Sequence, residues 1–233
     1  MIRSSLSPLP FRLRALGYAL AMKLGVLAAL ACSLVACGNG GTATATSTST
    51  TSPAPSPPDP PSPPDPPWPT PPGWRTEVIP FPLDFAPTIA HRGKEELRFP
   101  PGFFDPASGD HWSYTFVWRT EDPAQLDATA LGAELTAYFR GLIAAVDKQQ
   151  RIGINARDQI LARATPDADT PATFRLAVHV FDAFKTAAPI DLTGWAERRP
   201  CRTGALWIFV LAPAHSAIRT QLDELARAAS CTP

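Results

Sequence analysis

Residues 112–119 read Trp-Ser-Tyr-Thr-Phe-Val-Trp-Arg, and their alternation is strict. Trp112, Tyr114, Phe116 and Trp118 fall on one side of an extended chain, and Ser113, Thr115, Val117 and Arg119 on the other, the period of two that a β-strand imposes. Four large aromatics on one face demand a cover, so the stretch predicts a sheet with a helix laid over it. The same row would alternatively serve as a platform for a sugar or a lipid.

Downstream, Asp122-Pro123 has the chemistry of a helix start: a capping carboxylate and a proline suited to the first turn. Leu131, Leu135, Tyr138, Phe139, Leu142 and Val146 follow close to a 3.6-residue repeat, predicting one helix that runs to about Asp147. Upstream, Arg75–Phe81 is extended and flanked by Pro80 and Pro82, which suits an edge strand. Glu95–Phe99 reads as a second short strand with Glu95-Glu96 as its solvated start. Gln159–Thr165, Thr173–Phe184 and Gly204–Leu211 supply further extended stretches. In the middle one Phe174, Leu176, Val178 and Val180 face one way, while Arg175, Ala177 and His179 face the other, on a solvated or partly covered side. Ile218, Leu222, Leu225 and Ala229 predict a closing amphipathic helix over about 214–230. Strands, helix, strands, helix, with connections too short for repeated βαβ crossovers, predict the α+β class. The expected architecture is a mainly antiparallel sheet of about five to six strands with one central and one C-terminal helix packed on it.

This domain is expected over residues 73–233. Ahead of it, 16–37 form an apolar stretch interrupted by Lys23 and closing in Leu34-Val35-Ala36-Cys37. The stretch reads as a bacterial export signal, and Lys23 leaves an apolar run short of the ~20 residues that span a bilayer. The close resembles the lipobox of bacterial lipoproteins. That resemblance implies that 1–36 are a signal peptide removed by cleavage, that the Cys37 thiol is acylated, and that Cys37 anchors the protein in a membrane. Gly38, in place of the aspartate that retains lipoproteins at the inner membrane, implies the outer membrane with the domain facing the periplasm. A start at Met22 would yield the same mature chain. Residues 37–72 read as a tether, first small and Ser/Thr-rich, then with thirteen prolines in the twenty positions 53–72. Such a run favours polyproline II and a stiff reach of ~60 Å at ~3.1 Å per residue.

Of 21 basic residues, Arg3, Arg12, Arg14 and Lys23 lie in the leader, where none of the 21 acidic residues falls, so the remainder is acidic by about four charges. No cluster of Lys and Arg offers a phosphate-binding face, which excludes a nucleic-acid partner. With Cys32 in the leader and Cys37 acylated, Cys201 and Cys231 remain. A strand running out from Cys201 and a helix returning to Cys231 cover similar lengths, so antiparallel packing would bring the two together as a disulfide. The exported compartment permits it.

Motifs for catalysis are missing: the chain contains no G-x-S-x-G elbow, no H-E-x-x-H, no P-loop and no G-x-G-x-x-G, and none of its motifs implies a cofactor. Asp105, Asp110 and His111 are the one group with metal-ligand character, on a turn beside the aromatic strand, although turns favour aspartate for conformational reasons alone.

The segments GWRTEVIPFPLDFAP (73–87), ELRFPPGFFDPASGDHWSYTFVW (96–118) and LTAYFRGL (135–142) resemble a set of secreted or lipid-anchored bacterial proteins that carry no assigned activity, over about residues 73–146. The element order also resembles, as architecture alone, the PsbP-type α+β layout, from which no function transfers. The expectation is a lipid-anchored cell-envelope protein whose domain is a non-catalytic binding or adaptor module for another envelope protein or component. Two alternatives stand beside it. One is a small-ligand (sugar or lipid) binder using Trp112, Tyr114, Phe116 and Trp118, the other an envelope hydrolase built near Asp105, Asp110 and His111.

Overall fold

Seven strands and three helices follow one another among the described residues: β1 (Arg75–Pro80), β2 (Gly93–Phe99), β3 (Tyr114–Thr120), α1 (Ala128–Val146), α2 (Ile154–Asp158), β4 (Leu161–Pro166), β5 (Thr173–Phe181), β6 (Pro189–Pro200), β7 (Ala205–Pro213) and α3 (Arg219–Arg227). The computed structural model describes residues 68–123 and 125–231, all within one unit spanning Asp59–Pro233. The signal peptide 1–36, Cys37 and the tether as far as residue 67 lie outside the described residues. No helix among the described residues is long and apolar enough to cross a membrane.

All seven strands join one sheet in the order β1-β2-β3-β7-β6-β5-β4, and every neighbouring pair is antiparallel. The class is α+β, with seven strands rather than five to six. The additional strand is β6, whose charged end and prolines disguise its alternation. Ile190, Leu192 and Ala196 nonetheless share one side, and Leu192 and Ala196 are buried. Gly194 continues that row for a steric reason: a Cβ there would stand 1.7 Å from the Val210 carbonyl oxygen of β7.

The sheet separates two apolar cores. Trp207, Phe209 and Leu211 of β7 join Phe116 and Trp118 of β3, Leu176 and Val178 of β5, and Leu131, Leu135, Tyr138 and Phe139 of α1 on one face. Leu206, Ile208, Val210 and Ala212 pack on the other face with Val117, Trp68 and Leu222, Leu225 and Ala226 of α3. A strand covered on both sides reads as a continuous apolar run, and Ala205–Ala212 is buried throughout. Each large side chain so buried contributes ~1.5–3 kcal/mol.

Local chemistry sets the element ends. Helix α1 begins at Ala128, later than Asp122, because the Asp127 carboxylate accepts the Ala130 N–H at 2.8 Å. Asp122 instead approaches His91 at 3.5 Å. Helix α3 is shorter than 214–230. Trp112 stands before β3, at φ 55°, its N–H donated to the Phe103 carbonyl at 3.2 Å, so the strand itself starts at Tyr114. Packing begins ahead of Gly73: the Trp68 indole is buried and donates to the Leu225 carbonyl at 2.8 Å, with the Arg98 guanidinium 4.2 Å over its ring.

Cys201, after β6, and Cys231, after α3, form a disulfide with their Cα atoms 5.5 Å apart. The two ends of the sheet are finished differently. Helix α1 lies along the outer edge of β4, where the Thr136 hydroxyl accepts the Ala162 N–H at 2.9 Å and donates to the Gly132 carbonyl at 2.8 Å. Among the described residues no strand or helix covers the outer edge of β1.

Candidate interaction surface

The covers on the two faces differ in extent, and that difference creates the candidate site. Helix α3 and the segment from Trp68 to Trp74 occupy the outer face over β3 and β7, and the cover ends at Trp195 of β6, whose indole N–H donates to Asp223 Oδ1 at 2.7 Å. Beyond it, alternate residues of β4, β5 and β6 point outward, and among the described residues nothing lies over them. Leu161, Arg163, Thr165, Arg175, Ala177, Asp191 and Thr193 are exposed, while Ala162, Leu176, Val178 and Leu192 between them are buried against the α1 side.

Register arranges this face in rows. Leu161 stands opposite His179 and His179 opposite Asp191; Arg163 opposite Ala177 and Ala177 opposite Thr193; Thr165 opposite Arg175 and Arg175 opposite Trp195. The small side chains of Ala177 and Thr193 therefore form a shallow centre ringed by Arg163, Arg175, Trp195 and His179. Asp191 Oδ1 lies 2.7 Å from His179 Nδ1, which orients the imidazole on this face. Arg219 reaches in from α3, and its guanidinium donates to the Thr193, Ala212 and Pro213 carbonyls and to the Thr193 hydroxyl, with no carboxylate among these partners. Arg175 meets Asp167 only at 3.7 Å, and the Arg163 guanidinium has no hydrogen bond or ion pair among the described residues. A flat face with several guanidinium donors, one imidazole and one partly exposed indole suits a second macromolecular surface better than an enclosed small molecule.

Buried ionisable groups lie elsewhere. Glu95, expected at a solvated strand start, is wholly buried on the α1 side, where burial pushes its carboxyl up to about 8 against hydrogen bonds from the Trp118 indole (3.0 Å) and Tyr138. Its neighbour Glu96 points to the opposite face. Burial there opposes charge, but Lys94 at 3.0 Å and Arg119 at 2.8 Å hold its carboxyl below the ordinary value. Burial likewise opposes charge on His91, yet Glu134 at 2.9 Å and Asp122 at 3.5 Å raise its pKa. The two carboxylates sit on opposite ring nitrogens, so the three groups do not converge on a common point.

The residues singled out in the sequence fare unequally. Trp112, Tyr114, Phe116 and Trp118 present no ligand platform: each is at most 2 % exposed. Phe116 stacks on Phe209 at 4.4 Å and on Tyr138 of α1 at 5.8 Å, and Trp112 packs against Phe103 and Phe184. The row is core because a sheet of this width needs its α1 face closed. Asp105, Asp110 and His111 do not assemble a metal centre. Asp105 accepts the Ala107 N–H within its own turn, the Asp110 N–H donates to the Ser108 hydroxyl, and His111 turns toward Asp182 at 3.6 Å. Among the described residues no group of three or more His, Cys, Asp or Glu is placed to hold a metal ion. Arg163, Leu161 and the His179–Asp191 pair were missed as a group. The parity of β5 does put His179 and Arg175 outward, but their neighbours appear only once β6 is recognised as a strand. No family model, no curated protein and no solved structure matches this chain.

Proposed function

We propose that this chain is a lipid-anchored protein of the bacterial envelope whose domain binds another envelope protein or envelope component through the open outer face of β4, β5 and β6. The observation that carries the reading is the half-covered sheet: β3 and β7 are closed by α3 and Trp68, whereas the rows through Ala177 and Thr193 have no cover among the described residues. In this reading Cys37 carries the lipid, the outer membrane holds it, and the proline-rich tether sets the domain in the periplasm at a distance that a bound partner requires. The Cys201–Cys231 disulfide is at home in such an oxidising compartment. Binding is non-catalytic in this account, and it involves no nucleic acid.

The test places a photo-activated cross-linking residue at Ala177, Thr193 or Arg163 of the full chain in living cells, with Asp84 and Lys148 as exposed control positions away from the face. Cross-links to one defined envelope component from the three face positions, and not from the controls, are expected. Equal labelling from all five positions, or none from the face, would sink the reading. Cys37→Ser abolishes incorporation of a labelled fatty acid and releases the protein from the membrane fraction if the anchor is as proposed.

A further inference from the structure

We propose that two copies of this domain pair edge to edge through β1, antiparallel about a two-fold axis at Thr76, joining their sheets into one. The inference is independent of whatever occupies the outer face. It starts from the unequal edges of the sheet: α1 closes β4 through Thr136, while the outer side of the β1 backbone has no partner strand among the described residues. An open edge is a ready template for another strand.

The ladder decides which groups point out. The Phe81 N–H donates to the Gly93 carbonyl at 3.0 Å, so by antiparallel alternation Arg75, Glu77 and Ile79 turn their backbone groups toward β2. Thr76, Val78 and Pro80 turn theirs outward, with donors at Thr76 and Val78 and none at Pro80. Several two-fold registers engage these groups. An axis at Glu77 sets that carboxylate directly opposite its own copy, which like-charge repulsion disfavours. An axis at Val78 sets Glu77 opposite the apolar Ile79 of the other copy. An axis at Thr76 sets Arg75 opposite Glu77 twice over and Val78 opposite Trp74. It forms four backbone hydrogen bonds, Thr76 to Thr76 and Val78 N–H to the Trp74 carbonyl, each made twice. Only this register gives Glu77 a cation, and the Glu77 carboxylate has no hydrogen bond or ion pair within its own copy among the described residues. It also covers Val78, which is 59 % exposed, the largest value for a big apolar residue in the described sheet. The Arg75 guanidinium, 5.3 Å over the Phe104 ring, is already held beside the edge.

The experiment uses the full chain in cells with single cysteines introduced at Thr76, Glu77 or Val78, and Lys148→Cys as control, followed by oxidation and a non-reducing gel. Thr76→Cys is expected to give the strongest covalent homodimer. Adding Arg75→Glu should lower its yield about three- to tenfold, and adding Glu77→Arg to that pair should restore it, because both cross-edge ion pairs are then rebuilt with reversed sign. Strongest linkage at Glu77→Cys or Val78→Cys, linkage of Thr76→Cys to a different chain, or no linkage above the Lys148→Cys control would each overturn the proposal. Failure of the charge swap to rescue would do the same, since the side chains of Arg75, Thr76, Glu77 and Val78 are all exposed.

Discussion

Glu95 shows what a single carboxyl can do to the whole stability curve. In the unfolded chain it ionises near its ordinary 4.5, whereas in the fold burial pushes it up to about 8. Between those values the folded state holds a proton that the unfolded state has lost. This contribution is therefore fully present below about pH 4.5 and falls away as the pH rises toward 8, with a slope of up to about 1.4 kcal/mol per pH unit. His91 acts in the same direction, since its pKa is raised: its contribution is complete below about 6.5 and is lost above its folded value. Urea unfolding at pH 5, 6, 7, 8 and 9 should show stability declining across this window. Glu95→Gln, which keeps the shape and removes the titration, should flatten the curve and exceed the wild type at pH 8 to 9; parallel curves for the two proteins would refute the assignment. Neither behaviour is legible in the sequence, where Glu95-Glu96 at the head of a strand looks solvated. Both are buried in the fold, but Lys94 and Arg119 keep Glu96 charged, while the α1 cover leaves Glu95 with no cation to offset its burial.

At the scale of elements, the alternation of β3 and β5 and the 3.6-residue stripe of α1 were readable because each follows one period without interruption. The β6 strand was not, because Gly194 stands where an apolar side chain would mark the pattern. Its neighbour on β7 approaches too closely for anything larger, so Gly194→Ala should destabilise the domain by roughly 3 kcal/mol or more, read as a lowered urea midpoint. A midpoint shift under about 0.5 kcal/mol, the range of ordinary surface substitutions, would mean that β6 and β7 can part without cost. Thr136 offers a cleaner comparison. Thr136→Val leaves the Ala162 N–H without its acceptor on the β4 edge and should cost about 1–3 kcal/mol, while Thr136→Ser, which keeps the hydroxyl, should recover most of it. Equal losses in both variants would assign the effect to packing alone.

Across the whole molecule, the disulfide ties the end of α3 to the β6–β7 connection over a separation of 30 residues. In the chain-entropy account, closing a loop of that length contributes about 3–4 kcal/mol, so Cys201→Ser with Cys231→Ser should lower the unfolding free energy by that order, and a shift below about 1 kcal/mol would show that α3 docks without it. The α+β class, the antiparallel character and the Cys201–Cys231 pair were determined by the sequence itself, because periodicity and length constrain each element before it meets another. What only the tertiary structure decided is which surfaces remain open. The Tyr114 to Trp118 row and the outward row through Arg163, Ala177 and Thr193 are both faces of strands. Alternation distinguishes two sides of a strand but cannot say which side a distant helix will cover, and α1 closed the first row while α3 stopped short of the second.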